Sequence, residues 1–304
     1  GIETYVAART IHDRDPAKDK ARYHLILLAM NNTGYQNLMK LSTTANLEGY
    51  YYKPRVDHDL LEKYNEGIIA LSACLGGEVS EPLQHDDYDK AKEIASWYQS
   101  VFGDRYYLEI QDHQEYELQN KVNGYLFQLS EELGIKTVVS SDAHYVNATD
   151  QQSHEILLCV GTGAFMSDEK RMSLTDFHLH VTDPKDVIAR WAEEHPDTVS
   201  NTKEIADRCE VDIELGGILI PKFPTPSGES EKEFLDTLVY RGMAFRYLDM
   251  PKEETEKLDN DTIRARLAPE QTERLDMEFA VLDKMGYNGY FLIVQDFINW
   301  GKDQ

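Results

Sequence analysis

The sequence predicts an α/β fold, a mainly parallel sheet or barrel over the first two-thirds of the chain followed by a mainly helical segment. Three observations point that way. Short apolar runs alternate with longer segments whose apolar residues recur at helical spacing. Glycines stand just past the ends of those longer segments. From about Asp183 the short runs cease while the helical patterns continue.

Taken in order, "ETYVAA" and "YHLILLAM" are strands, and "TGYQNLMKLSTTANLEG" is a helix. "GIIALS" is a strand and "YDKAKEIASWYQSVFG" a helix; "RYYLEI", "EYELQNKVNGYLFQLSEELG" and "KTVVSS" repeat the strand, helix, strand sequence. "DPKDVIARWAEEH" and "PDTVSNTKEIADRCE" are helices, and Arg190 in the first of them is expected away from the strand ends. "IPKFPTPSGES" carries three prolines and a glycine in eleven residues, which forbids a regular element and marks a linker. The domain boundary is therefore expected at Pro221–Ser227, separating residues 1–220 from residues 221–304. Beyond it "EKEFLDTLVYRGMAFRYL", "PEQTERLDMEFAVLDKMG" and "YFLIVQDFINWGKDQ" are helices.

With 304 residues and 41% hydrophobic content, the chain can bury a large core. Its net charge of −24 excludes a protein that grips phosphate backbones through a broadly basic surface, so any nucleic-acid contact must be local. Cys74, Cys159 and Cys209 are odd in number and widely spaced, which supplies no disulfide framework and agrees with a reducing compartment. No apolar run approaches the roughly 20 residues of a membrane span, and no basic and apolar leader opens the sequence. A cytoplasmic location is the expectation. The chain begins at Gly1 and stops within an amphipathic run, so it is expected to be an internal piece of a longer protein.

In an α/β sheet or barrel the site belongs at the carboxyl ends of the strands. Cys74 follows "GIIALS", Asp112 and His113 follow "RYYLEI", and Asp142 and His144 follow "KTVVSS". Residues two apart in a strand share a face, so Asp142 and His144 would project together, a carboxylate and an imidazole suited to a divalent metal. Taken alone, Asp-x-His more often closes a turn and leaves an ordinary surface histidine. A lone cysteine is more often a small buried hydrophobe than a ligand. His24 precedes its strand and fits the rule poorly; beside Tyr23, and on the face of Ile26 and Leu28, it would ordinarily be a core or edge histidine. Glu3 is too near the start to interpret unaided. The recurrence at strand ends favours a metal site.

"YHLILLAMNNTGYQNLMKLST", "GYYYKPRVD", "EGIIALSACLGGEV", "VVSSDAHYV", "HEILLCVGTG" and "MGYNGYFLIVQDFINW" together resemble the replicative polymerase family of bacterial DNA polymerase III alpha subunits, in order and over essentially the whole chain. The resemblance implies an incomplete, distorted (β/α)7 barrel of the polymerase-and-histidinol-phosphatase (PHP) type over residues 1–220. Residues 221–304 are then a helical linker and the start of the polymerase palm. It implies metal ligation by Glu3, His24, Cys74, Asp142 and His144, with zinc or manganese as the ion and a thiolate ligand disfavouring magnesium. The family's earlier ligands, including a His-x-His pair, are expected upstream of Gly1. His178 and His180 in "FHLHV" reproduce that spacing but follow the Asp-x-His pair, and are expected as exposed or edge residues of a late strand. The polymerase carboxylates and their magnesium are expected beyond Gln304, leaving this piece without the polymerase active site.

The function so implied is DNA-directed DNA polymerase in the parent protein, with a metal-dependent phosphoesterase, a 3′→5′ proofreading exonuclease, in the barrel. Lys53, Arg55, His113 and Arg171 are candidate substrate contacts; ordinary surface charge is an equal alternative for the cations. DNA, deoxynucleotides, a sliding clamp and a proofreading subunit are the implied partners, and no membrane. Two alternatives stand beside this: a vestigial, structural PHP module, and a free-standing PHP phosphatase, which would have no need of "MGYNGYFLIVQDFINW".

Overall fold

The computed structural model describes every residue except Gln114 and Ile218. The chain divides into two units, Gly1–Ile213 and Glu214–Gln304. The first contains β1 (Ile2–Ala7), β2 (Arg22–Ala29), α1 (Asn32–Leu47), β3 (Arg55–Val56), α2 (His58–Lys63), β4 (Ile68–Leu71), α3 (Ser80–Gln84), α4 (Tyr88–Phe102), β5 (Tyr106–Gln111), α5 (Glu117–Leu133), β6 (Lys136–Ser140), α6 (Gln151–Thr162), α7 (Pro184–Trp191) and α8 (Pro196–Arg208).

The strands form one open six-stranded sheet in the order β3-β1-β2-β4-β5-β6, the α/β layer expected of an incomplete PHP barrel. Neighbours are parallel except around β2, which runs antiparallel to both β1 and β4. The sequence did not foretell that reversal. It arises because residues 8–21, between β1 and β2, form no helix to carry the chain back, so β2 returns directly alongside β1. β4 and β5 are buried along their whole length, as parallel strands covered on both faces must be.

Alternation along the strands sorts the two faces. Val6, Leu25, Leu27, Ile68, Ala70, Leu108, Ile110 and Val139 face the larger core, packed with Leu41, Ala95, Phe102, Val122 and Leu126 of α1, α4 and α5. Ile26, Leu28, Ile69, Leu71, Tyr107 and Val138 face the other way, against Ile205 of α8. On that second face the row turns polar toward the carboxyl edge, where Glu109, Gln111 and Ser140 stand.

The late strand expected in "FHLHV" does not form; His180 makes a single parallel bridge to Tyr145. A few backbone bonds to His144 and Tyr145, together with side chains, hold this segment. Gln151 donates to the carbonyls of Thr175 and Phe177, and the His178 N–H donates to Glu115. His178 is exposed and His180 partly so.

The second unit contains α9 (Glu231–Tyr247), α10 (Lys252–Thr255), α11 (Asn260–Arg264), α12 (Pro269–Met285) and α13 (Asn288–Asp303). Ser230 and Glu233 close a reciprocal capping box at the start of α9. Tyr240, Ala244, Ile263, Leu267 and Leu275 form its core, and Arg264 holds Asp276 through two bonds of 2.6 Å. The division after Ile213 falls before the expected 220/221 boundary, and the described residues between Cys209 and Ser230 form no helix or strand. Among the described residues no helix is long and apolar enough to cross a membrane.

Candidate functional site

The reversal of β2 puts its first residues at the carboxyl edge of the other strands. His24, the third residue of β2, therefore lies where a site residue should. Its N–H donates to the Gly76 carbonyl at 2.9 Å, which draws the loop after β4 onto the start of β2. That loop is tight: Ala73 takes a left-handed φ of 61°, and a Cβ on Gly77 would stand 2.2 Å from the Ser72 carbonyl oxygen. The turn aims Cys74 at His24, with Sγ 3.4 Å from Nδ1. Glu3 pairs with Ile26 in register and shares its face, so its carboxylate reaches diagonally to the same ring nitrogen, at 2.6 Å.

Past β6, Asp142 Oδ1 lies 3.1 Å from His144 Nε2, and His144 Nδ1 lies 3.3 Å from His154 Nε2 on α6. The Asp-x-His pair does project together. Asp142 orients the imidazole, while the backbone of His144 is held by the Leu179 carbonyl at 2.7 Å. Cys74 and Asp142, from different strand ends, line one cavity of about 160 Å³ with Gln111, His113, Gln119, Leu174, Phe177 and Leu179.

Glu109 on β5 was not singled out in the sequence, although an acid inside the apolar run "RYYLEI" was a signal. It is buried; Ser140 Oγ donates to Oε1 at 2.5 Å, and Oε2 has no partner among the described residues. Burial pushes its carboxyl above the usual range, against the pull of the Ser140 and Ala73 donors, and the charges of Asp142 and Glu3 push it further. The Cys74 thiol is likewise raised, first by burial and then by Glu3, Asp142 and Glu109, against the Gly76 N–H. A negative field of this kind favours a bound cation, which would draw the thiol to thiolate. His154 gave no sequence signal, since its approach to His144 depends on how α6 folds back.

Carboxylate, imidazole and thiol donors thus gather at one edge, a set whose chemistry fits a borderline divalent ion. Among the described residues, however, no three His, Cys, Asp or Glu side chains are disposed around a common point for one. The donors meet each other instead.

The expected phosphate contacts need correction. Arg55 is fully buried and spends its guanidinium on the carbonyls of Gly49, Asp19, Ile11 and Asp13, so it braces the β1–β2 loop and has nothing left for a phosphate. Arg171 is paired at 2.5 Å with Glu155, itself 3% exposed. Arg190 is not remote: it forms a two-pronged ion pair with Asp112, which also accepts from Trp191 Nε1 at 2.9 Å. Asp112 therefore anchors α7 instead of serving the site. Lys53 is exposed on the loop before β3, with no side-chain partner among the described residues. His113 is 3% exposed and its Nδ1 has no partner among the described residues.

A family model described as PHP domain matches residues 1–113, and one described as bacterial DNA polymerase III alpha NTPase domain matches residues 233–304. The chain is 35% identical over 349 aligned residues to the DNA polymerase III subunit alpha of Thermus aquaticus, an alignment covering 99% of this chain and 28% of that protein. It is 36% identical over 307 residues to the subunit of the same description in Borreliella burgdorferi, covering 100% and 25%. With that of Treponema pallidum the identity is 40% over 308 residues, covering 100% and 24%. The chain spans about a quarter of the length of these curated relatives.

Proposed function

The chain belongs to the family of bacterial DNA polymerase III alpha subunits, and on that premise we propose that it serves DNA replication as part of a DNA-directed DNA polymerase whose PHP domain removes 3′-terminal nucleotides by metal-dependent phosphodiester hydrolysis. DNA and deoxynucleotides are then its substrates, a sliding clamp and a separate proofreading subunit its partners, and the cytoplasm its location. The convergence of Glu3, His24, Cys74, Asp142 and His144 at one sheet edge carries the hydrolase reading.

Those five residues would hold zinc or manganese, with Glu109 alongside. When bound, such an ion lowers the pKa of a coordinated water and neutralises phosphate charge. The chain's own contributions are positional. Asp142 and His154 meet the two ring nitrogens of His144 and fix its orientation, so one of these contacts would have to be exchanged for the ion when the ring ligates. Ser140 occupies Oε1 of Glu109 and leaves Oε2 as the oxygen that can hold a proton or meet an ion. The mutual pairing of the donors favours a second reading, a structural module with a vestigial site.

The two readings separate in the full-length protein. Asp142→Asn and His144→Ala should each release metal and slow removal of a 3′-terminal nucleotide by about 10²-fold or more. Polymerisation on a primed template should persist. Full metal content by elemental analysis together with an unchanged excision rate would leave the structural module as the better account.

A further inference from the structure

We propose that the cavity between Cys74, Asp142, His113 and Gln119 is a subsite for the nucleobase of the nucleotide being removed, so that the PHP site reads a terminal nucleotide by its base as well as its phosphate. The inference rests on the phosphoesterase reading for its reaction, though not for its binding.

Two buried polar atoms carry it. Gln119 is 2% exposed and His113 3%, and among the described residues Gln119 Oε1 and His113 Nδ1 have no hydrogen-bond partner. Such atoms cost about 1–3 kcal/mol each when left unmade, and both belong to residues that line the one cavity, where a ligand could satisfy them. The glutamine cannot simply turn over. Asn123 Nδ2 donates to the Gln111 carbonyl at 3.0 Å, which leaves Asn123 Oδ1 to accept from Gln119 Nε2 at 2.9 Å. That relay from β5 through α5 presents Oε1 as an obligate acceptor.

Apart from Gln111, the remaining walls are apolar and fixed. Phe177 stands edge-on to His113, ring centroids 5.5 Å apart at 74°, and is tilted against Tyr116. Leu174 is held by its N–H to Glu155 Oε1 at 2.8 Å, and Leu179 is buried. Apolar faces with a polar edge describe a flat heteroaromatic ring. The volume of about 160 Å³ exceeds the share of one water, about 30 Å³, and falls short of the roughly 300 Å³ at which pockets for larger ligands begin. It suits a base, with sugar and phosphate outside toward Cys74 and Asp142. Every DNA base carries an N–H that can donate to Gln119 Oε1, while His113 Nδ1 donates or accepts according to tautomer, so the subsite would accept all four.

The test is binding, measured by calorimetry on the full-length protein, of deoxycytidine 5′-monophosphate against 2-deoxyribose 5-phosphate, which carries an anomeric hydroxyl in place of the base. The nucleotide should bind about 10-fold tighter or more. Gln119→Leu and His113→Leu should each bring the ratio toward one, at unchanged metal content. Equal affinity in the wild type, or an undiminished ratio in both variants, would overturn the subsite; if a variant fails to fold, the wild-type ratio decides alone. Excision is read separately. A protein that discriminates the base but removes no 3′-terminal nucleotide keeps the subsite and loses the phosphoesterase, whereas one that excises normal and abasic termini equally, with no discrimination in binding, does the reverse.

Discussion

Glu155 shows what a single buried charge does here. It accepts from the Leu174 N–H, Arg171 and Ser173, and so clamps residues 171–174 onto α6 and fixes one wall of the cavity. Burial alone would raise its carboxyl, but these donors outweigh burial and hold it below the usual range. A carboxyl depressed in the folded state adds stability above its unfolded pKa, about 4.3, and loses it as the pH falls through the lower folded value. Glu155→Gln should therefore cost about 2 kcal/mol at neutral pH, and the gap in melting temperature should close below about pH 4. A gap that stays constant from pH 7 to pH 3 would show that the charge of Glu155 contributes nothing.

At the scale of elements, the approach of α1 to β4 depends on two glycines meeting. Gly34 lies in the first turn of α1, where a Cβ would stand 1.9 Å from the Gly67 carbonyl oxygen, and Gly67 itself takes a φ of 69° just before β4. Backbone meets backbone, so no side-chain rotation relieves the contact. Gly34→Ala should destabilise by about 3 kcal/mol, read as a lowered urea midpoint, whereas Gln36→Ala on the exposed side of α1 should stay within about 0.5 kcal/mol. Equal midpoints would mean that α1 does not sit this close to β4. The reversal of β2 acts at this scale too, since it is what brings His24 to the edge that Cys74 and Asp142 occupy.

At the scale of the whole molecule, the two units each have a core of their own, one around the sheet and one around Tyr240, Ala244 and Ile263. Between Cys209 and Ser230 the described residues form no helix or strand, and Leu215 and Leu219 are 86% and 95% exposed. Backbone without ladder or helix bonds is where a protease engages first. Brief digestion of the 304-residue chain with a broad-specificity protease should cut first within residues 214–229, as read by intact-mass spectrometry. First cuts within α1 to α8, or within α9 to α13, would show that the units are not separately folded.

Local pattern was enough for the parts that local chemistry dictates. Five of the strands follow from short apolar runs, and α1, α4 and α5 from their helical periodicity. Asp142 and His144 do meet, but beyond the end of β6 at Ser140, so their own contact and the Leu179 carbonyl set their geometry instead of a strand's two-residue period. Family resemblance singled out Glu3, which no local rule could interpret. Tertiary structure decided whatever depends on distant partners. Arg55 reads as an available cation until its four carbonyl acceptors close around it, and Arg171 likewise until Glu155 takes it up; Arg190 reads as remote from the strand ends until Asp112 binds it. Glu109, His154 and Gln119 were brought beside the candidate site residues only when β5, α5 and α6 assembled. His24 could be justified only by the direction of β2, which depends on how residues 8–21 cross the sheet. Strand and helix signals lie within a few residues of one another along the chain, whereas the burial and pairing of a charge depend on groups tens of residues away, which only folding brings within hydrogen-bond distance.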